Sequence, residues 1–161
     1  MEQKLYFPVF VDLSDKKVVV VGGGAIATRR VCTLLPFVEE LIVIAPEVTR
    51  EIENLSREGR VHLYRRNYEK EDVKNVYLLV AATNVREINE VIGRDGKEAG
   101  CFVSVADNKE ECNMLFPGIA LDREQGVVVG VTASGRNHKL AKKLTEKIKS
   151  TLKNFIGVSD R

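Results

Sequence analysis

Short apolar runs alternate with amphipathic stretches along the first two thirds of the chain. Runs rich in valine and isoleucine predict strands buried on both faces, at residues 17–21, 41–45, 61–64, 76–82 and 101–105. Helical spacing predicts helices between them, at 25–35, 46–58 and 84–99, with a short acidic turn near 69–73. This alternation predicts an α/β fold with a doubly wound parallel sheet. A short leading strand at 6–11 is expected to join the same body.

The pattern changes after residue 106. Strands at 115–120 and 127–132, joined by the polar stretch 121–126, predict a β-hairpin rather than another crossover. Ser134 and Gly135 then break the chain before a helix at 137–156. Lysines cover much of that helix, and its apolar stripe contains Leu140, Leu144, Ile148, Leu152 and Phe155. We therefore predict two regions, a nucleotide-binding domain at 1–110 and a hairpin-and-helix region for dimerisation and substrate at 111–161.

The first strand ends in a glycine turn that opens an alanine-rich helix. Gly22 allows a tight turn, Gly24 leaves room beside the backbone, and Ala27 allows the helix to pack closely on the sheet. Such a turn presents backbone N–H groups to a pyrophosphate, although glycines also end ordinary strands. The context predicts a Rossmann-like site in which a dinucleotide contacts Gly22, Gly24, Ala25 and Ile26.

Other site residues are expected at the carboxyl ends of the strands. The second strand ends in Ala45, Pro46 and Glu47. Glu47 either reaches the ribose or lies in the first turn of the next helix, where a carboxylate is also favoured. Both interpretations stay open at this point.

The fourth and fifth strands also end in polar residues. Ala82, Thr83 and Asn84 leave room for the cofactor, and Thr83 or Asn84 is also a candidate helix cap. Asp107 follows the fifth strand, which places it at the same edge as the glycine turn. An aspartate there is either a turn former or a chemical group, and its position beside the cofactor crevice leaves both interpretations open.

The composition indicates no global attraction to nucleic acid or membrane, because the net charge of the 161 residues is only +2. No basic leader and no run of roughly 18 to 20 apolar residues is present, so a cytoplasmic location is expected. Three cysteines at irregular spacings predict neither a metal site nor a disulfide framework. Cys32 and Cys101 are expected to be buried thiols.

Several short motifs follow one another in an order that resembles the precorrin-2 dehydrogenase family, the NAD-binding part of siroheme synthases. They are 6–10 (YFPVF), 22–27 (GGGAIA) with arginines at 29–30, 81–84 (AATN), 105–107 (VAD), 116–117 (FP), 134–135 (SG) and 140–141 (LA). His138 stands where members often have proline, and members usually continue beyond the last helix. The resemblance covers residues 5–155.

The resemblance implies NAD-dependent oxidation of precorrin-2 to sirohydrochlorin by a homodimer, with Asp107 as the catalytic residue. Some members also insert ferrous iron, which the sequence leaves open for this chain, and no methyltransferase domain is expected here. Precorrin-2 carries eight carboxylates, so a basic or polar set becomes a candidate for substrate binding: Arg29, Ser134, Gly135, Arg136 and His138. The alternative is a non-catalytic Rossmann module that senses NAD or NADH.

Overall fold

Five parallel strands form the central sheet in the order β3-β2-β1-β4-β5. The computed structural model describes residues 5–156, with side chains through residue 154. The strands are β1 (Val18–Val21), β2 (Leu41–Ile44), β3 (His62–Tyr64), β4 (Leu78–Ala81) and β5 (Phe102–Val105). The order reverses beside β1, so the predicted doubly wound sheet is confirmed.

Three α-helices accompany this sheet: α1 (Ala25–Leu34), α2 (Arg50–Arg57) and α3 (Arg86–Glu98). The predicted acidic turn is a 3₁₀ helix at Lys70–Val73, and a second 3₁₀ helix follows β5 at Lys109–Glu111. The helix predicted at 46–58 begins four residues later than expected, at Arg50, because Thr49 is its N-cap and accepts from the Ile52 amide. A hydroxyl at the N-cap satisfies one of the amides that a helix start leaves without partners.

The core of this unit is formed by the sheet itself. All four residues of β1 are at most 2% exposed. Burial of both sheet faces explains why the strands are continuous apolar runs rather than alternating ones. The valine and isoleucine content therefore follows directly from the layered architecture.

The outer edge of β5 is protected by the chain that follows it. The Asn113 side chain accepts from the Val103 amide at 2.6 Å and donates to the Cys101 carbonyl at 2.9 Å. The Asn113 amide also donates to the Val103 carbonyl. These bonds satisfy polar groups that an open sheet edge would offer to another chain.

The chain divides into two compact units. One is Val11–Met114, and the other combines the N-terminal residues up to Phe10 with the chain from Leu115 onward. The second unit contains the antiparallel hairpin β6 (Gly118–Asp122) and β7 (Val127–Val131), then α4 (His138–Ile156). These elements agree with the hairpin and helix predicted from the sequence.

Close packing joins α4 to the hairpin. Thr145 is 4% exposed, and its hydroxyl occupies the space where a Cβ on Gly118 would lie. Ser134 and Gly135 both have positive φ, 53° and 74°, which confirms the predicted break before α4. Helix and hairpin thus pack through small residues.

Two sequence predictions are wrong. Residues 6–11 form no strand; instead Leu13 makes an isolated parallel bridge with Val38. Cys32 is exposed, because its position on α1 faces away from the sheet, whereas Cys101 is buried as expected. Among the described residues, no helix is long and apolar enough to span a membrane.

Candidate functional site

The carboxyl ends of four neighbouring strands lie in register at one edge of the sheet. Val21 pairs with Ile44 on one side and with Ala81 on the other, and Ala81 pairs with Val105. The segments that follow these strands therefore emerge side by side. Ligands of open α/β sheets bind beyond such ends, where the strand order reverses.

Two glycines of the turn are required by close backbone approaches. Gly22 has φ +125°, and a Cβ there would overlap the Ala82 carbonyl. A Cβ on Gly23 would overlap the carbonyl of Glu47. Gly23 also accepts from the Thr49 amide at 2.9 Å, so the turn is bonded to the segment that follows β2. Gly23 is not among the predicted cofactor residues, although it lies inside the same glycine triplet.

Gly24 has a different role from its neighbours. It is the N-cap of α1 with no side-chain cap, and a Cβ there would meet no atom within 4 Å. Ala25 and Ile26 are exposed, while Ala27 is fully buried against the sheet. The first N–H groups of a helix have no intrahelical acceptor, so this open start offers donors to an anion. The geometry fits the diphosphate of a dinucleotide.

The segment after β2 lies directly beside this turn. Ala45 is buried, and Pro46 and Glu47 are exposed in a bend before Thr49. Glu47 is therefore not in the first turn of α2, and that interpretation is wrong, because the Thr49 cap starts the helix later. Its backbone packs on Gly23.

Thr83, rather than Asn84, organises the end of β4. The Thr83 hydroxyl accepts from the Val85 amide at 3.2 Å, and Val85 is the N-cap of α3 without a side-chain bond. Asn84 is exposed, and the prediction that Thr83 or Asn84 is the N-cap of this helix is wrong, because Val85 occupies that position. Ala82 is buried, with its carbonyl against Gly22.

Asp107 lies just beyond β5, and both of its carboxylate oxygens are bonded from α3. Oδ1 accepts from Arg86 Nη1 at 3.1 Å, and Oδ2 accepts from Asn89 Nδ2 at 2.9 Å. The Asp107 side chain is 37% exposed, so one part of it faces solvent. Arg86 also pairs with Glu111, and that carboxylate is the main reason why the pKa of Arg86 is raised. Neither Arg86 nor Asn89 has a local sequence signal that would have linked it to Asp107.

The predicted substrate residues are divided between the two units. Arg29 is exposed on α1 and lines an open cleft of about 370 Å³ whose other lining residues are Ala25, Thr28, Cys32, Thr49 and Glu51. The remaining four, Ser134, Gly135, Arg136 and His138, lie in the second unit, between β7 and the start of α4. The predicted cofactor residues and Asp107 all lie in the sheet unit.

No cluster of three His, Cys, Asp or Glu side chains that could hold a metal ion occurs within the described part of the chain. The polar groups at the strand ends include backbone amides, hydroxyls and the carboxylate of Asp107. This set is suited to a nucleotide phosphate and to proton transfer.

A family model described as "putative NAD(P)-binding" matches residues 9–118. The matched span includes the glycine turn, the four strand ends and Asp107. The donor geometry at the start of α1 and the family model thus indicate the same class of ligand.

Similar proteins have names connected with siroheme. The chain is 44% identical over 144 residues to a probable multifunctional siroheme biosynthesis protein HemA of Ruminiclostridium josui, covering 89% of this chain and 28% of that protein. It is 35% identical over 153 residues to a siroheme synthase of Mannheimia succiniciproducens, and that alignment covers 95% of this chain and 32% of the relative. The chain thus spans about a third of the length of these curated relatives.

A solved structure has a similar fold. It is titled SirC, precorrin-2 dehydrogenase, and aligns with a TM-score of 0.76 at 29% sequence identity. The alignment covers 91% of this chain and 71% of that one. The similarity extends over both the sheet unit and a large part of the hairpin-and-helix unit.

Proposed function

This chain belongs to the NAD(P)-binding family described above, and we propose on that premise that it is an NAD-dependent dehydrogenase that oxidises precorrin-2 to sirohydrochlorin. The observation that carries the proposal is the position of Asp107. Its carboxylate is held at the same sheet edge as the open glycine turn, one strand beyond β4. Two groups on α3 hold this carboxylate while part of it faces solvent, which suits a group that accepts a proton from a bound substrate. The choice of precorrin-2 as the substrate is based on the names of the relatives and of the solved structure.

The reaction removes a hydride and a proton from precorrin-2. When bound, NAD supplies the hydride acceptor, and the products are sirohydrochlorin, NADH and a proton. Asp107 accepts the proton from the macrocycle, and solvent takes it from the exposed side of the carboxylate. The protein otherwise holds the two reactants in a productive orientation, which by itself can supply several kcal/mol of the barrier reduction.

The cofactor is held by groups on three strand ends. The start of α1 donates N–H groups to the diphosphate, and Gly24 leaves the necessary space. Ala45, Pro46 and Glu47 face the adenosine ribose, with Glu47 accepting from its hydroxyls and favouring NAD over NADP. Ala82, Thr83 and Asn84 line the nicotinamide side.

Basic and polar residues recognise the substrate carboxylates. Arg29 on α1 is exposed beside the cofactor turn, Arg136 precedes α4, and His138 is the first residue of α4. Ser134 and Gly135 add a left-handed turn whose amides suit an anion. Guanidinium groups bind carboxylates with paired hydrogen bonds, which suits a substrate with many carboxylates.

The second unit carries the dimer interface. Leu140 and Leu144 on α4 are 47% and 44% exposed, and Phe7 and Phe10 of the same unit are 87% and 76% exposed. Apolar side chains of this size stabilise a protein when they are covered, so a second copy of the chain is the proposed partner. A cytoplasmic location remains a prediction of the sequence.

The deciding experiment is anaerobic incubation of the purified chain with precorrin-2 and NAD, with NADH formation followed in the near ultraviolet. We expect sirohydrochlorin and NADH in equal amounts, above the rate without protein. Asp107→Asn keeps the shape of the side chain and one of its two acceptor oxygens but removes its charge, so turnover should fall roughly 100-fold or more while NAD affinity changes little. A protein that binds NAD and forms no NADH would instead be a sensing module.

A further inference from the structure

Asn89 connects the end of β4 with Asp107. Its side chain lies on the first turn of α3 and is fully buried. Oδ1 accepts from the Thr83 amide at 2.9 Å and from the Thr83 hydroxyl at 2.7 Å. Nδ2 donates to the Thr83 carbonyl at 3.1 Å and to Asp107 Oδ2 at 2.9 Å. All four hydrogen-bonding positions of the amide are thus used.

The orientation of this amide is determined by its partners. The Thr83 amide can only donate and its carbonyl can only accept, so the oxygen of Asn89 faces the former and the nitrogen faces the latter. The remaining hydrogen of Nδ2 then has one direction available, toward Asp107 Oδ2. A carboxylate that accepts a hydrogen bond from a fixed, buried donor loses rotational freedom.

The same bonds extend to the cofactor turn. Thr83 follows Ala82, whose carbonyl lies against Gly22 at the end of β1. Asn89 therefore fixes Asp107 relative to a backbone segment that itself contacts the glycine turn. Arg86 bonds the other oxygen of Asp107 but is more than a third exposed and shared with Glu111. Of the two bonds to Asp107, the one from Asn89 has the rigid donor.

We propose that Asn89 is a positioning residue that sets the angle and distance of the Asp107 carboxylate from the reacting carbon of the substrate. This rests on the proposed function, because it assigns Asn89 a role only through Asp107. Misplacement of a reacting group by about 1 Å can reduce turnover roughly 100-fold without affecting binding. The Thr83 hydroxyl bonds to the Asn89 side chain and to the backbone of Val85, and not to Asp107.

Two variants of Asn89 separate positioning from folding. Asn89→Leu has a similar shape but removes every hydrogen bond of the side chain and leaves the Thr83 amide and carbonyl without their partners on Asn89. Asn89→Ser keeps a smaller polar group at this position but removes the donor to Asp107. The matched control is Asn113→Ser, which removes side-chain bonds to the backbone of β5 without touching Asp107.

The measurements are kcat, the KM for precorrin-2, NAD affinity and thermal unfolding, each made also in an Asp107→Ala background. We expect kcat to fall about 10-fold or more in the folded Asn89 variants, with KM and NAD affinity changed less than about threefold. In the Asp107→Ala background the same substitutions should lower kcat no further, because the group they position is gone. Asn113→Ser should lower stability and leave kcat unchanged.

Several results would overturn the proposal. They are a wild-type kcat in a folded Asn89 variant, an equal loss of kcat in Asn113→Ser, an additive loss in the Asp107→Ala background, and failure of both Asn89 variants to fold. Wild-type turnover in the Asp107→Ala protein would instead contradict the proposed function, because that substitution removes the proposed catalytic residue itself. The two failures are therefore distinguishable.

Discussion

The hydroxyl oxygens of Thr28 and Thr49 lie 2.7 Å apart, so a hydrogen bond joins the first turn of α1 to the N-cap of α2. Thr28 also bonds to the Gly24 carbonyl at 2.9 Å. The two threonines therefore link α1, which follows the glycine turn, to α2. Thr28 is buried and Thr49 is half-buried, so the loss of either hydroxyl removes a hydrogen bond that is shielded from solvent.

Replacing Thr49 should test this link. Thr49→Ala removes both the cap of α2 and the bond to Thr28, and should lower the free energy of unfolding by about 1–2 kcal/mol. Thr49→Ser retains the hydroxyl and should lose much less. Chemical denaturation of the three proteins provides the comparison, and equal losses in Ala and Ser would assign the effect to the methyl group instead.

Changes at Gly24 should separate nucleotide binding from stability. Gly24→Asp places a carboxylate at the N-cap of α1, where it favours the helix by up to about 1 kcal/mol but repels a diphosphate. We expect an intact fold with no measurable NAD binding by calorimetry. Gly24→Ala should fold normally, because its methyl group enters open space. Wild-type NAD affinity in a folded Gly24→Asp protein would show that NAD does not bind at the glycine turn.

The neighbouring glycine supplies the matched contrast. Gly23→Ala places a methyl group onto the Glu47 carbonyl, so it should destabilise the fold, unlike the same change at Gly24. Thermal unfolding of both alanine variants measures the difference. Equal unfolding temperatures would show that the segment after β2 moves freely away from the turn.

The stability of the sheet unit should depend on pH through Asp72. Burial raises the pKa of Asp72, but paired bonds from Arg66 at 2.5 and 2.8 Å and a bond from the Glu69 amide outweigh it, so the pKa is lowered. A carboxyl with a lowered folded-state pKa contributes stability above its unfolded pKa, near 4, and loses it as the pH falls further.

We therefore expect Asp72→Asn to lower the free energy of unfolding by about 1 kcal/mol at pH 7. The difference from wild type should shrink as the pH falls below about 4. Glu71→Gln, an exposed neighbour on the same 3₁₀ helix, serves as the control and should have little effect. Urea unfolding at pH 7 and at pH 3 tests this, and a constant difference at the two values would contradict it.

Leu144→Asp should disrupt the proposed dimer. The side chain is 44% exposed, so a carboxylate is compatible with the folded chain but not with a covered apolar interface. We expect a monomer in sedimentation. Lys142→Asp, exposed on a different face of α4, should remain a dimer. A Leu144→Asp protein that stays dimeric with unchanged stability would remove this helix from the interface.

The sequence by itself determined the layered fold and the place of the cofactor turn. Both depend on local signals: buried valine strands such as β1, helical spacing between them, and glycines directly after a strand. Asp107 could be selected because strand ends of a parallel sheet meet at one edge. These features need only neighbouring residues and the general rules of α/β topology.

Only the tertiary structure decided which side chains complete the site. Asn89 and Asp107 are 18 residues apart, and their bond forms because β4 and β5 pair in register and α3 crosses back between them. The same holds for Gly23 and Glu47, whose close approach depends on the pairing of β1 with β2. The exposure of Cys32 and the late start of α2 were likewise set by packing and by the Thr49 cap. Distances between residues remote in sequence result from strand register and helix packing, which local periodicity does not encode.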